Sequence, residues 1–123
     1  MESYVFVYGT LKQGFRNHHL LEHCVLVGKG QTKERYALYV DGTDTIPYVS
    51  KEEEVSSIQG EIYLVDKDTL HRLDQLEQHP EWYYREEIAV ILAPDGEMVS
   101  AWIYFNDNPL GELIESAAYS LSS

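Results

Sequence analysis

The chain has 123 residues, of which 44% are hydrophobic and 12% aromatic, and its formal net charge is −12. This length is typical of one domain, which we predict over residues 1–123, and it suffices for one buried core without a metal or disulfide. The strongly negative charge disfavours partners such as nucleic acid and anionic membrane surfaces.

The cysteine usage and the apolar patterning give a prediction of location. The single cysteine, Cys24, permits no disulfide within the chain and is typical of a reducing compartment. The first residues lack the basic and apolar segments of a secretory signal, and no apolar run approaches the roughly 20 residues of a membrane span. We therefore expect a cytoplasmic protein, whose oligomeric state the sequence leaves open.

Strand signals dominate the chain. In chain order, the predicted strands are 4–8, 25–33, 36–40, 46–49, 58–65, 83–92 and 98–105. Gly28 and Gly30 predict a bend or bulge in the second strand, and Pro47 predicts that the fourth strand starts there or lies at a sheet edge. The turn residues at 93–96 predict a hairpin between the last two strands.

Helical signals are fewer. Asn17 is a good N-cap residue and predicts a short helix over 17–24. A second helix is predicted from Asp66 to Gln78, before Pro80. Apolar spacing over 109–123 predicts a third helix in the tail. Many short strands with few small helices predict an α+β protein with a strongly curved sheet or barrel.

The first strand ends at a glycine, which gives the first candidate for a binding site. The apolar residues before Tyr8 are followed directly by Gly9, Thr10 and Leu11. A strand that stops at glycine can leave consecutive backbone N–H groups unpaired, and such a concavity suits a carboxylate. An ordinary turn is the alternative interpretation.

A carboxylate on an apolar helix face gives the second candidate. At about 100° per residue, Glu77 falls inside the arc of Leu70, Leu73 and Leu76, whereas Asp74 falls at its rim. A carboxyl group in an apolar setting should have a pKa raised toward neutrality, which suits general acid–base chemistry. Alternatively, a small rotation would expose Glu77, and Asp74 is then the second choice of base, although a solvated or capping Asp74 is the plainer interpretation.

Other residues with chemical potential lack the required spacing. The histidines near Cys24 do not form a metal-ligand motif, so we predict no metal, and no GxSxG elbow or phosphate-binding GxxxxGK[ST] loop is present. Arg85, which follows Tyr83 and Tyr84, could form an ion pair with Glu77 or Asp74 or bind a substrate carboxylate.

Several of these motifs together resemble the γ-glutamylcyclotransferase-like family, and most closely its γ-glutamylamine cyclotransferase branch. The matching residues are Val5 to Lys12, Gly14, Asn17-His18, Ile46-Pro47, Gly60 to Tyr63, Val65-Asp66, Leu73-Asp74, Glu77, Pro80, Tyr83 and Arg85. They follow the family order over most of the chain. After Phe105 the chain is short and carries no recognisable family motif, which leaves substrate choice open.

The resemblance implies a compact mixed β-barrel with short flanking helices and an enzyme without metal or cofactor. It implies a pocket for a small γ-glutamyl substrate, framed by Tyr8, Gly9, Thr10 and Leu11, with Glu77 as the catalytic acid and base. Tyr83 and Arg85 fall in the family's last motif, and we expect them to bind substrate. The expected reaction releases 5-oxoproline by attack of the substrate's own α-amine.

Two other functions fit the same residues. A non-catalytic module could bind a small amino-acid derivative, with Glu77 holding its ammonium group. A biosynthetic enzyme could remove a γ-glutamyl protecting group from a larger metabolite. Binding without turnover would identify the first, and the mass of the expelled amine would identify the second.

Overall fold

The computed structural model describes residues 2–9, 12, 18–40, 47–93, 95–106 and 112–114. The strands are β1 Glu2–Val7, β2 Val25–Thr32, β3 Ala37–Val40, β4 Pro47–Ser50, β5 Gln59–Asp66, β6 Tyr84–Leu92, β7 Met98–Phe105 and β8 Glu112–Leu113. The α-helix, α1, spans Lys67–Leu76, and a 3₁₀ turn spans His18–Leu21. No helix in the described ranges is long and apolar enough to cross a membrane.

Five strands form a closed barrel in the order β1-β5-β2-β6-β7. Neighbouring strands are antiparallel except at the closure, where Val5 of β1 pairs in parallel with Trp102 of β7. A second sheet has the order β4-β3-β8, so that β4 is an edge strand beginning at Pro47, as predicted. The predicted hairpin of β6 and β7 and the irregularity of β2 near Gly28 are also confirmed.

The second half of β1 and the middle of β5 are buried on both faces, with the barrel interior on one side and an outer apolar cluster on the other. The interior cluster includes Phe6, Ile62 and Phe105. The outer cluster includes Leu73 of α1 and Tyr104 of β7. This second core holds the end of α1 against the barrel wall.

The helix α1 confirms the predicted 66–78 segment and has a well-defined start. Asp66 is its N-cap, and the Asp66 carboxylate accepts a 2.7 Å hydrogen bond from the backbone N–H of Thr69. The predicted 17–24 helix is reduced in the described residues to the 3₁₀ turn, and Asn17 lies outside them.

The tail prediction is wrong where the structure describes it. Glu112 and Leu113 form a strand that pairs with Val40 and Tyr39. The N–H of Ile114 donates a 2.7 Å hydrogen bond to the Leu38 carbonyl. The apolar spacing predicted a helix, but pairing with the edge of β3 decides the backbone conformation of Glu112 and Leu113. The rest of the predicted tail helix lies outside the described residues.

Gly60 permits close packing between β1 and β5. A Cβ atom there would lie 2.4 Å from the Val7 carbonyl oxygen and 2.8 Å from the Phe6 ring. We expect Gly60→Ala to lower the free energy of unfolding by about 1–3 kcal/mol, since backbone atoms would have to move. Urea denaturation measures this. The exposed Ser100→Ala change in β7 should stay within about 0.5 kcal/mol, and an equally stable Gly60→Ala variant would contradict the packing argument.

Candidate functional site

Glu77 is the C-cap of α1, where the helix ends in a Schellman motif. The N–H of His79 donates to the Asp74 carbonyl at 2.9 Å, and the N–H of Gln78 donates to the Gln75 carbonyl at 3.2 Å. Gln78 adopts a left-handed conformation with φ of 54°. This reversal turns the chain back toward the barrel directly after Glu77.

The returning chain fixes the Glu77 backbone on both sides. Its N–H donates to the Leu73 carbonyl at 2.9 Å, and its carbonyl accepts from the N–H of Tyr83 at 3.2 Å. Leu73 is fully buried, and Glu77 lies on the same side of α1 and is itself largely shielded from solvent. The side chain therefore cannot turn to solvent through simple fraying of the helix end.

Burial raises the pKa of the Glu77 carboxyl from 4.5 to about 7, as the helical arc predicted. Two tyrosines share this environment. Burial, together with the negative charge of Glu77, raises the pKa of Tyr8. Burial and the neighbouring carboxylates Asp74 and Glu77 raise the pKa of Tyr104 as well. At neutral pH, Glu77 is thus close to half-ionised beside two protonated phenols.

The glycine turn after β1 directly follows Tyr8, on which the charge of Glu77 acts. The Tyr8 hydroxyl donates a 2.8 Å hydrogen bond to the Tyr104 carbonyl. A Cβ atom at Gly9 would lie 2.5 Å from Cγ of Pro47, so that only glycine lets the turn pack on the start of β4. The N–H of Lys12 donates to the Gly9 carbonyl at 3.1 Å and closes the turn.

The two remaining residues of the predicted anion-binding loop, Thr10 and Leu11, lie outside the described residues. Binding of a carboxylate or an oxyanion by the N–H groups of this loop therefore stays a prediction.

Tyr83 and Arg85, which were predicted to bind substrate, both make protein contacts. The Tyr83 hydroxyl donates to the Pro47 carbonyl at 2.7 Å, and its ring stacks on Tyr48 with a centroid separation of 5.7 Å. The Arg85 Nε lies 2.8 Å from Oδ1 of Asp74, which is the ion pair considered as an alternative. Their part in substrate binding stays a prediction.

Asp74 is neither solvated nor an end cap, so the plainer interpretation of this residue is wrong. Its carboxylate is largely buried and accepts hydrogen bonds from Arg85 and, at 2.7 Å, from the Tyr104 hydroxyl. Burial is the largest single effect and raises the pKa, but these donors together outweigh it and lower the pKa of Asp74. Asp74 is therefore ionised at neutral pH and unsuited to act as a base.

Sequence reasoning missed Tyr48 and Tyr104 as members of the site. Their positions depend on the pairing of β3 with β4 and of β6 with β7, which local patterns do not specify. The only signal was the high tyrosine content, with ten tyrosines in the chain and most of them in strand segments.

Two other features of the described residues differ from this site. Across the described residues, no three His, Cys, Asp or Glu side chains are grouped closely enough to hold a metal ion. An open groove of about 430 Å³ lies between β2, the start of β5 and the β6–β7 hairpin, and its lining includes Lys29, Gln31, Gln59 and Leu92. It contains no carboxyl group or tyrosine hydroxyl, unlike the Glu77 site.

Comparison with known proteins identifies the family. Residues 5–121 match the family described as gamma-glutamyl cyclotransferase, AIG2-like. The chain belongs to this family. The match confirms the resemblance carried by the sequence motifs, and it places the chain among γ-glutamylcyclotransferase enzymes whose substrates are small molecules.

Individual relatives agree with this assignment. A Methanocaldococcus jannaschii protein with a provisional gamma-glutamylcyclotransferase name is 48% identical over 118 residues, covering 95% of each chain. Gamma-glutamylaminecyclotransferase C of Danio rerio is 39% identical over 101 residues, covering 76% of this chain and 66% of the relative. The crystal structure of an AIG2-like protein from Mus musculus superposes with a TM-score of 0.87 at 31% identity, covering 97% of this chain and 88% of that one. The expected α+β barrel is thereby confirmed.

The raised pKa of Glu77 predicts a pH-dependent stability. The folded protein binds the Glu77 proton more tightly than the unfolded chain, so the stability from this group is complete below pH 4.5 and is lost as pH rises to about 7. We expect Glu77→Gln to be more stable than the wild type by roughly 2–3 kcal/mol at pH 8, and the two proteins to converge near pH 4. Urea denaturation across this range measures the difference.

Glu81→Gln is the matched control for this measurement, because Glu81 is exposed in the turn that follows the same helix. It should show no comparable gain at pH 8. If Glu77→Gln and the wild type differ by a constant amount at all pH values, the burial argument is wrong.

Proposed function

We propose that this protein is a cyclotransferase that converts a γ-glutamyl amine, amide or small peptide into 5-oxoproline and a free amine. The observation that carries the proposal is the Glu77 carboxyl group, which has a pKa of about 7 and lies beside Tyr8 at the glycine turn. Membership of the family and the relatives' names support the same chemistry.

The reaction is intramolecular. The α-amine nitrogen of the glutamyl group attacks the γ-carbonyl carbon, a five-membered lactam ring closes, and the bond to the leaving nitrogen breaks. Since nucleophile and electrophile belong to one molecule, the protein has mainly to select the folded-back conformer. Its second task is to move a proton, because a free α-amino group has a pKa of about 8 and is largely protonated at neutral pH.

Glu77 is suited to this proton transfer. Its ionised carboxylate would accept one proton from the α-ammonium group, and the amine that forms would attack the γ-carbonyl. As the tetrahedral intermediate collapses, Glu77 would return this proton to the leaving nitrogen. The ring nitrogen would then lose its second proton to the expelled amine, which departs as an ammonium ion. A carboxyl group with a pKa near neutrality can perform both steps, whereas an ordinary exposed glutamate is a much weaker acid catalyst at this pH.

The glycine turn would bind the negative part of the substrate. We assign the N–H groups of Gly9, Thr10 and Leu11 to the glutamyl carboxylate or to the oxyanion that develops on the γ-carbonyl. We assign Tyr83 and Arg85 to the frame of the substrate pocket. We also propose a cytoplasmic location, which the single cysteine supports.

Glu77→Gln tests the proposed base. The amide keeps the shape of the side chain but cannot accept the proton, so release of 5-oxoproline should fall at least about a hundredfold. Chromatographic measurement of 5-oxoproline gives the rate. Glu81→Gln should retain the wild-type rate, and an active Glu77→Gln variant would reject the assignment.

A substrate panel tests the proposed reaction itself. Wild-type protein is incubated with ε-(γ-glutamyl)-lysine, glutathione and γ-glutamyl dipeptides, and both products are identified by mass. Formation of 5-oxoproline with the matching amine supports a cyclotransferase. Saturable binding of these compounds without any product would identify a binding module and overturn the proposal.

A further inference from the structure

One carboxylate oxygen of Asp74 accepts two hydrogen bonds from different strands. The Tyr104 hydroxyl of β7 donates to Oδ1 at 2.7 Å, and Nε–H of Arg85, at the start of β6, donates to the same atom at 2.8 Å. The Arg85 guanidinium also lies over the Trp102 ring, 4.3 Å from its centroid. With its guanidinium held in this way, Arg85 keeps Asp74 ionised.

Tyr104 is linked both to this ion pair, through its hydroxyl group, and to Glu77, whose charge acts on its phenol. Its backbone carbonyl accepts the hydroxyl proton of Tyr8, and the charge of Glu77 acts on both phenols. Asp74 and Glu77 are three residues apart and therefore neighbours on the surface of α1. The phenol of Tyr104 has a single proton, and that proton is donated to Asp74.

The direction of this hydrogen bond affects Glu77. If Tyr104 donated to the Glu77 carboxylate, it would favour the ionised form and lower the pKa of Glu77 toward its ordinary value. Because its proton is donated to Asp74, the Tyr104 hydroxyl oxygen can act toward other groups only as a hydrogen-bond acceptor. An acceptor suits an ammonium group, which is a hydrogen-bond donor.

We propose that Asp74 is a positioning residue, which holds the hydroxyl proton of Tyr104 away from Glu77 and thereby leaves the Tyr104 oxygen and the Glu77 carboxylate as joint acceptors for the substrate ammonium group. The assignment rests on the proposed cyclotransferase function. The assignment explains why the ionised carboxylate of Asp74 is maintained next to Glu77, a group whose own ionisation is unfavourable.

Other charged and titratable groups of the described residues act on these side chains, and Glu87 acts on Arg85. The negative charge of Glu77 acts on Tyr104 and on Tyr8, which directly follows β1. Behind them, Tyr48 of β4 acts on Tyr8, whereas Arg85 and His79 act on Asp74. Removal of Asp74 also removes a negative charge, and this alone lowers the pKa of Glu77. The test must separate the two effects.

A double-mutant cycle of Asp74→Ala and Tyr104→Phe provides that separation. In Asp74→Ala the phenol is free to donate to Glu77, and we expect the pKa of the Glu77 carboxyl to fall by at least about one unit. In the double variant the proton is absent, and at least half of this shift should be reversed. A ¹³C NMR titration of the Glu77 carboxyl carbon measures it without any need for turnover.

The kinetic readout uses the same variants with a γ-glutamyl compound that the wild type converts. The acid limb of kcat/KM should move to lower pH in Asp74→Ala and return toward its wild-type position in the double variant. Tyr104→Phe alone should raise KM several-fold through loss of one ammonium acceptor. Tyr39→Phe is the control, because it also removes a tyrosine hydroxyl that donates to a carboxylate, Glu53, and it should leave both readouts unchanged.

The outcomes are distinct. If the double variant keeps the whole shift of Asp74→Ala, only charge is involved and the positioning role is overturned. If Asp74→Ala does not fold by circular dichroism, Asp74→Asn and its double variant with Tyr104→Phe give the same comparison with a smaller shift. A wild type without turnover would overturn the proposed function, while the NMR titration would still decide whether Asp74 directs the Tyr104 proton.

Discussion

The architecture of the site depends on the backbone reversal that follows α1 and buries the Glu77 carboxyl group. A carboxylate leaves water only at a considerable cost in free energy, and a helix end normally offers an easy way back to solvent. Here the Schellman motif occupies the carbonyls of Asp74 and Gln75, and the N–H of Tyr83 binds the Glu77 carbonyl. Unwinding of the helix end would therefore break several backbone hydrogen bonds, and these bonds keep Glu77 in the surroundings that raise its pKa.

The second constraint is a set of tyrosine hydroxyls that are satisfied by backbone carbonyls. Tyr8 donates to the carbonyl of Tyr104, and Tyr83 donates to that of Pro47. Each bond joins segments that are distant in sequence, and Gly9 packs against the same proline. The ends of β1, β4 and β7 are thus held together around Glu77. Buried rings with satisfied hydroxyls give a rigid frame, as the proposed selection of a single substrate conformer requires.

Two carboxylates one helical turn apart have opposite protonation behaviour because their surroundings differ. Asp74 accepts hydrogen bonds from Arg85 and Tyr104, which favour the charged form, whereas burial alone governs Glu77. Because Asp74 and Glu77 lie only three residues apart, the net charge of the protein acts on both nearly equally and does not explain the difference between their pKa values. The environment of each group thus keeps Asp74 ionised and gives Glu77 a pKa near neutrality, as the proposed proton transfer requires.

The sequence by itself determined the strands of the barrel, the helix α1 and the apolar arc that contains Glu77, because these follow from local periodicity and turn chemistry. It also gave the family, through motifs in fixed order. Only the tertiary structure decided that Arg85 pairs with Asp74, that Tyr104 joins the site and that Glu112–Leu113 is a strand. These features depend on contacts between segments far apart in the chain, and local spacing carries no information about which distant partner a side chain or strand edge will meet.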